Sequence, residues 1–71
     1  MSRDKRIREL TLQQNSYYSM LHAAAVSLDV ARSSGADADE MSYQVDRVVA
    51  LGRKASDVAD SLIDALCEED R

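Results

Sequence analysis

The chain has a single cysteine, Cys67, and a single histidine, His22, and a thiolate–imidazole pair is the smallest unit of nucleophilic catalysis that they can make. That chemistry requires the two within hydrogen-bond reach. His22 precedes the one break in the helical pattern by about 13 residues and Cys67 follows it by about 32, so at 1.5 Å per residue they are separated by roughly 28 Å in a folded-back chain. A dyad within one chain is not expected. The same two residues leave no Cys/His cluster at ligand spacing, and no metal or other cofactor is expected.

Two charged clusters also invite chemistry. Asp57, Asp60, Asp64 and Glu68 recur at helical spacing near the end of the chain. Without a histidine or a second carboxylate-bearing helix, such a ladder reads as a solvated face rather than a cation site. Arg3, Lys5, Arg6 and Arg8 crowd the start and could touch a phosphate backbone, but the formal net charge is −4 and nonspecific nucleic-acid binding depends on positive surface. The spacing of a helix-turn-helix is absent as well, because the break joins two long segments rather than two short ones. With no converging polar constellation, an enzyme is not expected.

The elements that carry these residues are helices. The 71 residues include no proline, two glycines and ten alanines, a helix-forming composition. Ile7, Leu10, Gln14, Tyr17, Leu21, Ala24, Leu28 and Ala31 keep a 3-4 spacing, which predicts helix one over about 4–32. A second, weaker stripe runs along another side of it: Leu12, Ser16, Ser19, Ala23, Val26 and Val30. Helix two is predicted over about 38–68, with a seam of Met41, Val45, Val48, Gly52, Ala55, Ala59, Leu62 and Leu66. Val49 and Ile63 flank that seam on one side, and Leu51, Val58 and Ala65 flank it on the other. One partner helix cannot cover so wide a face.

Between them, 33–37 is the turn. Gly35 can take the left-handed conformation that ends a helix, and Asp37 followed by Glu40 resembles a capping box. Folding about Gly35 pairs residues whose numbers sum to roughly 71, the geometry of antiparallel neighbours joined by a short loop. Ile7 then lies near Asp64, and the basic start lies against the acidic end, Glu69 and Asp70 included. Arg53 and Asp57 are spaced for an i,i+4 ion pair. Gly52, Ala55 and Ala59 mark the expected closest approach of a neighbouring helix.

The fold class is therefore all-α: one domain, a hairpin of two long antiparallel helices. A domain this small buries little surface without a disulfide, a metal or a partner chain, so self-association into a homodimeric four-helix bundle is expected. The seam residues assigned to hairpin and dimer are Leu10, Tyr17, Leu21, Leu28, Val45, Val48, Gly52, Ala55, Ala59, Leu62 and Leu66. Tyr18, Met20, Tyr43 and Arg47 are the candidates for binding a second, foreign protein, since tyrosine, methionine and arginine on rigid helices are favoured anchors.

The longest apolar run, Leu21 to Leu28, is short of the roughly 20 residues that span a bilayer, and no apolar segment follows the early charges as in a signal peptide. The expected location is the cytoplasm of a bacterial or phage-infected cell. In plan the chain is similar to the small dimeric RNA-binding hairpin of plasmid copy control. In size, acidity and helical plan it resembles the small host-takeover proteins of bacteriophages, quorum-sensing anti-activators among them. That resemblance implies a homodimer that binds and inhibits or sequesters a host protein such as a transcriptional regulator. The alternatives are a dimeric-hairpin RNA- or DNA-binding regulator, and a structural or chaperone subunit completed by a heterologous helix.

Overall fold

The computed structural model describes residues 2–68, which form α1 (Arg3–Ser33) and α2 (Ala38–Cys67) folded into an antiparallel hairpin. The result is a rod of 52 × 16 × 15 Å. Glu69 and Asp70, expected beside the basic start, lie outside the described residues.

Each helix end is closed by its own sequence. Ser2 caps α1, its Oγ accepting from Lys5 N at 3.2 Å, which satisfies one of the amides left open in a first turn. At the other end Gly35 takes φ +76°, a conformation that costs other residues about 1–2 kcal/mol. That glycine lets Gly35 N donate to Arg32 O at 3.3 Å and Ala36 N donate to Ala31 O at 3.0 Å, the paired bonds of a Schellman ending. Two residues later Asp37 starts α2, with its Oδ1 accepting from Glu40 N at 2.9 Å. Only this half of the capping box forms; the Glu40 carboxylate turns instead to accept from Gln44 Nε2 at 2.9 Å.

The inner stripe of α1 is the one its spacing predicts. Gln14, Ala24 and Ala31 are buried and Ile7, Leu10, Tyr17, Leu21 and Leu28 half-buried. In α2 the structure departs from the sequence reading. Met41, Val48, Ala55 and Leu62 face α1 as expected, but Gln44, Leu51, Val58 and Ala65 complete the seam. Val45 and Leu66 are 44% and 47% exposed, and Gly52 and Ala59 are half-buried at its edge. The helix is thus turned by about half a residue step, roughly 50°, from the predicted phase. Packing density explains the choice. Both stripes share Met41, Val48, Ala55 and Leu62; the alternatives set Val45 or Gln44, Gly52 or Leu51, Ala59 or Val58, and Leu66 or Ala65 against α1, with the largest difference at mid-helix, where the choice is Gly52 or Leu51. A glycine there leaves a void that Leu51 fills.

Gly52 is accordingly not a point of close approach within the chain: a Cβ placed there meets nothing within 4 Å. The Arg53–Asp57 ion pair does not form among the described residues; the short-range charge pairs observed there include Arg32 to Asp29 at 2.6 Å and Arg3 to Asp4 at 4.0 Å.

Candidate interaction surface

What the hairpin buries is small. Among the described residues the buried apolar side chains are Ala24, Ala31, Ala55 and Ala65, and no large side chain is fully buried. Gln14, the one buried polar residue, leaves its Oε1 without a hydrogen-bond partner, as does half-buried Gln44. Two helices alone enclose only a line between them, so leucines at the seam remain open on both sides.

What it exposes is large. Ten bulky apolar side chains are 41–63% exposed: Leu12, Tyr18, Met20, Val26 and Val30 on α1, and Tyr43, Val45, Val49, Ile63 and Leu66 on α2. They fall on two sides of the rod. Near the turn one side is a groove lined by Val26, Ser27, Val30, Ala31, Glu40 and Gln44. The opposite groove is lined by Ala25, Leu28, Asp29, Arg32, Met41 and Val45.

Helical spacing extends these anchors along the rod. Tyr18 precedes Ala25 by one heptad and so belongs to the Val45 side. Met20 precedes Ser27 by one heptad, and Tyr43 lies one residue before Gln44 and Arg47 three residues beyond it, on the Val26 side. The four residues predicted to bind a partner therefore do not form one patch. Tyr18 is separated from the other three by the thickness of the hairpin. The sequence signal that could have sorted them is the alternative 3-4 series 41, 44, 48, 51, which fixes the phase of α2 but runs through a polar Gln44.

No family model, characterised protein or solved structure matches the chain. The surface must therefore be interpreted from its own chemistry.

The structure does not bring His22 and Cys67 together as a dyad. His22 and Cys67 are both exposed, and the level of α2 beside His22 lies about 16 residues from Cys67, roughly 24 Å along the helix. Among the described residues no three His, Cys, Asp or Glu side chains converge as metal ligands would, and no helix is long and apolar enough to cross a membrane. The basic start is partly engaged by acids: Arg6 reaches Glu68 at 3.5 Å and Arg3 stands 4.0 Å from Asp4.

Proposed function

We propose that the chain is a small homodimeric protein–protein interaction module. Two hairpins pack into a four-helix bundle, and the surface left outside binds a host protein and inhibits or sequesters it. The observation that carries this reading is the imbalance just described: an alanine-only buried core beside ten exposed bulky apolar side chains. A lone hairpin of this kind offsets little of its ordering entropy, whereas pairing of two hairpins turns open leucine edges into a core.

Surface area supports the same reading. The accessible surface is 5173 Å², against about 4,400 Å² for a compact monomer of this mass. The excess is close to the roughly 800 Å² that each partner gives up in a standard interface. After dimerisation through one side, the other side still presents Met20, Val26, Val30 and Tyr43, an apolar strip suited to a partner helix or groove. A bacterial transcriptional regulator is the target class that the resemblance to phage host-takeover proteins favours. Engagement of Arg3 and Arg6 by acids weighs against the nucleic-acid reading.

Light scattering after size exclusion tests the assembly: a dimer mass is expected at micromolar concentration, and a monodisperse monomer overturns the proposal. For the second half, a tagged chain should retain a stoichiometric bacterial protein whose purified form rebinds. Y43A and M20A should abolish that rebinding while leaving the dimer intact.

A further inference from the structure

The Val45 side of the hairpin carries a pattern that reads the same in both directions. On α2 the stripe begins at Val45 and Val49, passes through Gly52, Ser56 and Ala59, and ends at Ile63 and Leu66, in unbroken 4-3 steps. Bulky residues stand at both ends and small ones in the middle. Laid antiparallel on a copy of itself about Ser56, the stripe sets Val45 against the partner's Leu66, Val49 against the partner's Ile63 and Gly52 against the partner's Ala59. An isologous twofold contact requires a self-complementary surface of this kind.

The matching stripe of α1 is self-complementary in charge. It steps 4-3 from Asp4 through Arg8, Thr11, Asn15, Tyr18, His22 and Ala25 to Asp29 and Arg32. About Tyr18, an antiparallel copy brings Arg8 to the partner's Asp29 and Asp4 to the partner's Arg32. Asp29 and Arg32 already pair within α1 at 2.6 Å, so each end of the dimer gains a four-membered charge network. On the outer flank of the α2 stripe, Arg53 meets the partner's Asp60; neither makes an ion pair among the described residues.

One twofold axis can serve both helix pairs only if its two centres, Tyr18 and Ser56, stand level across the hairpin. Their numbers sum to 74, and so do those of Arg6 and Glu68, the pair that the structure shows in contact across α1 and α2. Three separate registers thus agree. From this agreement we infer that the Val45 side is the homodimer interface, with α2 packed antiparallel on the partner's α2, α1 on the partner's α1, and the axis passing between Tyr18 and Ser56. It also accounts for Gly52, a mid-helix glycine that the hairpin has no steric need for: the partner's helix comes closest there.

This inference rests on the homodimer reading above and fixes its geometry. The test uses the full chain with Cys67→Ser. S56C places a thiol on the axis among small residues, where Cα atoms come within disulfide range, and mild oxidation should convert it almost entirely to covalent dimer. S19C, on the opposite side of α1, should remain uncross-linked. R53D should raise the dimer Kd about tenfold, as loss of two symmetric exposed pairs plus repulsion predicts, and D60R in the same chain should restore it. A dimer by light scattering in which S19C cross-links and S56C does not overturns the inference and leaves the homodimer standing. So does a dimer indifferent to R53D. A monomeric wild-type chain overturns both.

Discussion

Arg6 Nη1 and Glu68 Oε1 meet 3.5 Å apart across the open end of the hairpin, with both side chains about half exposed. The pair joins a cation in the first turn of α1 to an anion at the end of α2, each placed against its own helix dipole. Its register is three residues beyond the sum of 71 read from the turn. Side chains on antiparallel helices each lean toward their own N-terminus, so touching residues lie about one position further along each helix than the backbone level they cover, which accounts for about two of the three.

Because the pair is exposed, its removal should cost little. R6A is expected to lower stability by no more than about 0.5–1 kcal/mol, measured as a shift in the urea midpoint. In 1 M salt, where the Debye length falls to about 3 Å, the difference should vanish. A loss that persists in high salt would mean that the arginine stem, not its charge, is what packs there.

Gln14 gives the opposite sign. It is 8% exposed in the seam of α1, and its Oε1 has no hydrogen-bond partner. Replacing a buried amide whose oxygen has no partner by an apolar group of similar size removes a desolvation cost of about 1–3 kcal/mol. Q14L should therefore raise the unfolding free energy by about 1 kcal/mol or more. A destabilised Q14L by thermal or urea melting would show that the amide finds a partner in solution.

The turn should separate two kinds of cost. D37A removes the acceptor of the Glu40 amide and is expected to lose about 1 kcal/mol. G35A forces a Cβ into positive φ and should lose about 1–2 kcal/mol, although a Cβ there meets nothing within 4 Å. The penalty is one of backbone conformation, so G35N, whose side chain tolerates that region, should recover part of it. Circular dichroism melts of the three variants check the order.

Much of this architecture was legible because local signals agreed. Gly35, Asp37 and the unbroken series from Ile7 to Ala31 all specify the same hairpin, and each is built from signals that act between residues one helical turn apart. The phase of α2 was not legible, since Val45, Gly52, Ala59 and Leu66 form as continuous an apolar series as the one that packs. The stripe that faces α1 includes polar Gln44, which hydropathy alone discards. What decides between them is volume against α1, a tertiary quantity. Tyr43 and Arg47 inherit the same ambiguity, because a rotation of half a residue step moves a side chain from one groove toward the other.

That ambiguity has a direct test in adjacent residues. The sequence pattern puts Leu66 in the hairpin seam and Ala65 on its flank, while the structure leaves Leu66 47% exposed and Ala65 fully buried. If Ala65 faces α1, a leucine there must push apart two helices that already touch, and A65L should cost about 1–3 kcal/mol through overpacking. Ala50, on the exposed side of the same helix, supplies the control: A50L should stay within about 0.5 kcal/mol of the parent. Urea unfolding of both at one protein concentration makes the comparison. A neutral or stabilised A65L would return α2 to the phase its sequence suggests, with Gly52 against α1 and the Val45 side turned inward.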